Sequence, residues 1–262
     1  MEKLCTLKPG RLALVALLTV AALVLTAPMA LAQEQPPMVR VVTVHTHLGH
    51  GPAFEAGMKK IAAAAAKMEK QHLGFVGMLT SQPGSYDLVF PMTGYADIAE
   101  QEATTQKLFA ELGAQTAEMT AAVKGIDSAI YGWRGDLSFQ PEDPRVSQDQ
   151  AAFTRIVTLR PHLQHQMAFE AVLKKTMETR KKHGINDSIG VWQQMIGPDG
   201  PAYVLLVDAT SEADFYTNQA KAMEKMGADW AKLMDEVGPF LRGVEYATSV
   251  PRMDLMGGGG ME

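Results

Sequence analysis

Cysteine is almost missing from this sequence: Cys5 is the single one among 262 residues. It lies inside a stretch that reads as an export signal, so the exported chain would contain none. That excludes disulfides, thiolate-held metals, iron–sulfur clusters and thiol catalysis, and it leaves the packed core as the source of stability. Aromatic residues are scarce too, at 7%, and the formal net charge is −5 with no extended basic block. A nucleic-acid-binding chain needs a basic patch, and recruitment to an acidic membrane surface needs clustered cations. Neither partner is expected. No Ser-His-Asp order, phosphate-cradling glycine loop or paired-carboxylate motif stands out.

What is present begins with that signal. Lys3, Lys8 and Arg11 precede an uncharged apolar run from Leu12 to Leu25, and Ala30-Leu31-Ala32 supplies the small residues of a cleavage site. The run is shorter than the roughly 20 residues that a membrane span needs. Residues 1–32 are therefore expected to be a signal peptide and 33–37 a polar lead-in. The protein would be exported, periplasmic or extracellular, with no stable membrane span after cleavage near Ala32.

The rest of the chain repeats a phrase. His47-Leu48-Gly49-His50-Gly51-Pro52-Ala53-Phe54-Glu55-Ala56-Gly57-Met58-Lys59-Lys60 returns as His162-Leu163-Gln164-His165-Gln166-Met167-Ala168-Phe169-Glu170-Ala171-Val172-Leu173-Lys174-Lys175. A self-match of this length at a fixed offset marks an internal duplication. Later echoes agree, among them Ala96-Asp97 with Ala213-Asp214 and Arg134-Gly135-Asp136-Leu137 with Arg252-Met253-Asp254-Leu255.

Around each phrase the pattern reads strand, helix, two strands, helix, strand. In the first copy the strands are expected over 39–46, 73–79, 86–92 and 128–134. Helices follow His50–Pro52 and cover 97–123. In the second copy the strands fall at 153–160, 188–195, 203–208 and 243–248, with helices over 169–181 and 214–237. Phe54 and Phe169 belong to the buried stripe of the first helix in each copy. Asp97 and Asp214 are favourable charges at helix N-termini. The domain map is then a ferredoxin-like repeat at 38–139, a polar, proline-bearing linker at 140–152, a second repeat at 153–256, and a disordered tail at 257–262.

The expected fold class is α+β: two tandem ferredoxin-like βαββαβ repeats. Their strands carry apolar residues on both alternating sets, so the sheet face away from the helices also needs covering. Two sheets facing each other would meet that need as an intramolecular α+β barrel. On Leu48-Gly49-His50 with Phe54, and Leu163-Gln164-His165 with Phe169, the chain resembles the dimeric α+β barrel superfamily. That superfamily includes the antibiotic-biosynthesis monooxygenase, EthD and NIPSNAP-like families. The resemblance implies either a cofactor-free monooxygenase-like enzyme or a haem-dependent one. The lack of a sharp catalytic constellation points instead to a small-molecule-binding or interaction protein. Such a fold also admits oligomers.

Alternation along the first strand of each copy places Val42 and Val44, like Val157 and Leu159, beneath the helices. The opposite set becomes polar toward one end and gives the candidate ligand-binding residues Thr43, His45, His47, Thr158, Arg160 and His162. A cation at Arg160 opposite a titratable His45 would favour an anion or a polarised carbonyl on an apolar body. His45, His47 and His50 could together offer three nitrogen ligands to a metal, but no acidic fourth ligand lies nearby in sequence and His45 becomes Arg160 in the other copy. The repeated histidine pairs have a simpler reading, as side chains that bond free amides at the start of a helix. His72 and His183, at helix ends, read as surface groups rather than haem ligands. Most methionines outside the signal fall at helical core spacing and read as gap-fillers rather than copper ligands.

Overall fold

The computed structural model describes residues 37–67, 76–80 and 82–255. The expected signal peptide (1–32), lead-in residues 33–36, His72, the start of the strand expected over 73–79, residue 256 and the expected tail (257–262) lie outside the described residues. Among the described residues no helix is long and apolar enough to cross a membrane.

The fold is mixed α+β. The first half runs β1 (Met38–Thr46), α1 (Gly51–Ala65), β2 (Val76–Thr80), β3 (Ser85–Met92), α2 (Asp97–Leu112), α3 (Ala117–Ala122) and β4 (Val123–Trp133). The second half runs β5 (Phe153–Pro161), α4 (Gln166–Lys182), β6 (Gly190–Ile196), β7 (Tyr203–Ala209), α5 (Glu212–Met226), α6 (Ala228–Val237) and β8 (Leu241–Pro251). All neighbouring strands are antiparallel. They follow the order β1-β3-β2-β8-β5-β7-β6-β4, and β4 returns to β1, so the sheet closes as a barrel.

Local chemistry sets these elements. β-branched residues fill β1, and Pro52 sits in the first turn of α1, where a missing N–H is no loss. The single long second helix expected in each copy is in fact two helices. Gly113 and Gly227, at φ of 48° and 49°, adopt a left-handed conformation that other residues resist, and each breaks its helix at the same place. Val123, expected at the end of a helix, opens β4 instead.

Two apolar layers sit between the helices and the outside of the barrel. Phe54, Met58, Tyr86, Leu88 and Leu108 form the first, and Phe169, Leu173, Val191 and Tyr203 the second. Each layer borrows from the other half: Leu255, after β8, is buried in the first, while Leu137 and Phe139, after β4, are buried in the second.

Candidate functional site

Side-chain alternation along β1 and β5 divides their residues between two spaces. Val42 and Val44 join the layer under α1, and Leu159 packs into the equivalent layer under α4. Thr43, His45, Thr158 and Arg160 therefore occupy the inner face of the barrel, as the alternation predicts. Four antiparallel steps separate β1 from β5, so the two strands run the same way and His45 and Arg160 lie toward the same end.

Their charges are already engaged. Ser85 Oγ lies 3.0 Å from Nδ1 of His45, and Asp127 Oδ2 lies 2.9 Å from its Nε2. Arg160 donates from Nε to Glu245 at 3.1 Å and from Nη1 to the Asp199 carbonyl at 3.1 Å. Asp127 and Glu245 are register equivalents, facing Thr43 and Thr158. The expected preference for an anion thus loses its basis, because Arg160 and His45 each have a carboxylate beside them.

His47 and His162 do not join the inner face. The pairing register breaks between His45 and Thr46, and again between Arg160 and Pro161, after which the chain turns out of the sheet. His47 is exposed, and its ring meets that of His50 edge to face at 5.9 Å. The rings of His162 and His165 repeat the arrangement at 6.1 Å. The reading of these histidines as capping side chains fails for His50 and His165, which make no such bond; backbone bonds such as Phe54 N–H to His50 O hold the turn. Among the described residues no group of three or more His, Cys, Asp or Glu could hold a metal. His183 bonds Asp229 at 2.9 Å, and with Lys182 it holds that carboxyl down near about 2.

A second constellation went unread in the sequence, although its parts were visible as echoes. Arg134, just past β4, makes a bidentate pair with Glu170 of α4 at 3.0 and 2.9 Å and also grips Asp136. Arg252, just past β8, does the same to Glu55 of α1, at 2.7 Å twice, and to Asp254. Tyr203 donates to Glu170 and Tyr86 to Glu55. The arginines hold both glutamates below the usual carboxylate range, against the opposing pull of burial. Burial, then the glutamate beside it, pushes the Tyr86 phenol up to about 12. These are reciprocal clasps, in which each half ends on a helix of the other.

An apolar-walled cavity lies outside the barrel, in the first half. It measures about 340 Å³ and sits between α1, α2 and the outer face of β1, β3 and β4. Phe54, Met58, Phe90, Leu108 and Met119 line it, and Ile126 and the Arg40–Glu102 pair (3.4 Å) stand at its rim. Gln101 is buried in its wall, with Nε2 donating to the Pro91 carbonyl while Oε1 has no partner. The equivalent rim in the second half differs. Ser128, opposite Val42, bonds Arg40, whereas Tyr246, opposite Val157, presents a ring that lies 4.9 Å from the Arg155 guanidinium.

No protein-family profile and no curated protein sequence matches the chain. Solved structures do resemble it. A protein from Fusobacterium nucleatum subsp. nucleatum, provisionally named a monooxygenase, superposes with a TM-score of 0.55 at 11% identity, over 83% of this chain and 93% of that one. An anthrone oxidase-like protein gives 0.54 at 10% identity, over 84% and 93%. A mutant chlorite dismutase from Candidatus Nitrospira defluvii gives 0.51 at 10% identity, over 86% and 94%. At such identities the likeness speaks for the fold alone, a mixed α+β fold of ferredoxin-like type that the chain shares with these structures.

Proposed function

We propose that the chain is an exported small-molecule-binding protein, built from two tandem ferredoxin-like repeats (38–139 and 153–256) whose sheets face each other as one intramolecular barrel. The duplicated phrase supports the repeats, as does the strand order, which contains the sequence β4-β1-β3-β2 and then its counterpart β8-β5-β7-β6. Export rests on the basic, apolar and small-residue pattern of residues 1–32. The binding reading is carried by one observation, the apolar cavity of about 340 Å³ in the first half. A space of this size and lining suits a small neutral apolar molecule.

The test uses N-phenyl-1-naphthylamine, a neutral dye that brightens in apolar surroundings. The dye should brighten with the wild type. Thr105→Phe, which puts a ring into the cavity from α2, should abolish the effect. No brightening, or brightening that survives Thr105→Phe, refutes the reading.

The second reading is a cofactor-free oxygenation in the same cavity, suggested by neighbours named as a monooxygenase and as anthrone oxidase-like. Such chemistry needs a base to draw a proton from the substrate. Among the described residues the only carboxylate on the cavity lining is Glu102, which is paired with Arg40. Binding without chemistry is therefore the better-supported of the two. A histidine-held haem does not fit the cavity as lined by the described residues, which include no His, Cys or Tyr there. Oxygen uptake with hydroxylated aromatic probes, absent in Thr105→Phe, would favour the enzyme.

A further inference from the structure

Thr43 and Thr158 hold the same place on the inner faces of β1 and β5, yet they look across at different partners. Thr158 faces Val204, whereas Thr43 faces Asp87. The Thr43 hydroxyl donates to Asp87 Oδ1 at 2.6 Å. No ion pair reaches this carboxyl among the described residues: Arg160 is spent on Glu245, and the His45 ring lies between Ser85 and Asp127. Burial pushes the Asp87 carboxyl up, against the pull of the Thr43 bond and of His45.

An uncompensated carboxyl inside a barrel costs free energy, and the fold has no need of it. The second half builds the same strand pair with a valine. The inner face around Asp87 is also not closed to water. Val41, Val89, Ala129, Ile156, Leu206 and Ala247 point inward from six strands, and every one keeps surface that water can reach. On the opposite faces of the same strands Val44, Leu88, Phe90, Ile130 and Tyr203 are buried. The inner face thus combines apolar side chains that stay open to water with one carboxyl that lacks a counter-ion among the described residues. Tyr131 faces the same space, and burial raises its phenol, with Arg160 opposing and Asp87 and Glu245 reinforcing.

We infer that the barrel is open inside as a lumen and that this lumen is a second binding site, for a small organic cation: a primary ammonium on a short apolar body, with the Asp87 carboxylate as its counter-ion. Thr43 fixes one carboxylate oxygen and leaves the other for the ligand. An anion would meet Asp87 unscreened. A divalent metal would want several oxygen ligands, and no group of three acidic or histidine side chains supplies them among the described residues.

The experiment is calorimetric titration of the full chain at pH 8 with benzylammonium, its neutral isostere benzyl alcohol, and benzoate. The wild type should prefer benzylammonium over the alcohol by on the order of tenfold and should ignore benzoate. Asp87→Asn and Asp87→Val should lose that preference while still brightening N-phenyl-1-naphthylamine, so this site and the apolar cavity stand or fall separately. Equal affinity for the ammonium and the alcohol, no binding at millimolar concentration, or a preference that survives Asp87→Asn overturns the inference. Normal melting of both variants excludes misfolding as the cause of a loss.

Discussion

The two halves share a backbone plan and differ in what they enclose. Phe169, in the second half, is fully buried among Leu173, Val191 and Tyr203. Phe54, in the first, is nearly as buried but forms one wall of an open cavity. Inside the barrel the first half sets Asp87 where the second sets Val204. What the halves hold in common (the inward phenylalanine, the arginine clasp, the glycine break) belongs to the fold. What the first half shows beyond that, an apolar cavity beside Phe54 and a half-buried Asp87 without an ion pair among the described residues, costs stability and is not required by the shared fold. Each half is thus an internal control on the other.

The comparison can be broken most forcefully at the phenylalanines. Phe169→Ala should cost about 3–5 kcal/mol. Phe54→Ala should cost less, because it enlarges a space that already exists, and it should also weaken dye binding. Urea unfolding of both variants checks this, and equal losses would argue against an open cavity beside Phe54.

Next come the clasps, which should behave alike. Arg134→Ala and Arg252→Ala each strand a half-buried glutamate and should each cost about 2 kcal/mol. Glu55 and Glu170 are held below their ordinary values. Their stabilisation is therefore full above the unfolded value, near pH 4.3, and is lost as pH falls through the lower folded value. Melting followed between pH 6 and pH 2 should show the wild type losing more stability than the double variant.

Asp87→Val should move the other way and stabilise the protein by about 1 kcal/mol near pH 7. The Asp87 carboxyl is raised, so its ionised form works against folding above that value, and the wild-type deficit should shrink as pH falls through it. A variant that melts below the wild type would show that Asp87 supports the fold. The smallest effect should come from Ser128→Tyr, which copies the rim of the second half onto the first. Stability should stay within about 0.5 kcal/mol while dye affinity drops several-fold in a fluorescence titration.

Much of the scaffold was legible because it rests on local periodicity. Strand alternation placed Val42 and Val44 outward and Thr43 and His45 inward, and helical spacing buried Phe54 and Phe169. The errors arose where one residue changes the count. A register break after His45 and another after Arg160 removed His47 and His162 from the inner face. Gly113 and Gly227 cut helices whose apolar pattern runs straight through them. The clasp lay beyond any local rule, since Glu55 and Arg252 are far apart along the chain and meet only when the barrel closes. Its signal was the paired recurrence of Arg-x-Asp-Leu and of the glutamate after each phenylalanine. The cavity had no signal in either copy alone; it arises from how α2 settles against the sheet. Asp87 was one carboxylate in an alternating strand, and its isolation appears only once the cations of the barrel are seen to be taken.

The exchanged tails bear on what the connecting segment 140–152 is for. Its entry and its middle are both fastened to the second half: Phe139, just before it, pairs with Ile189, and Arg145, within it, reaches Asp187 and Asp214. The first half in turn receives Leu255 and Arg252 from the far end of the chain. A protease nick between these anchors would cut one peptide bond and no clasp, so the fragments would stay together as a noncovalent pair. The covalent link then acts as a local concentration device, keeping each half next to the partner whose tail it holds.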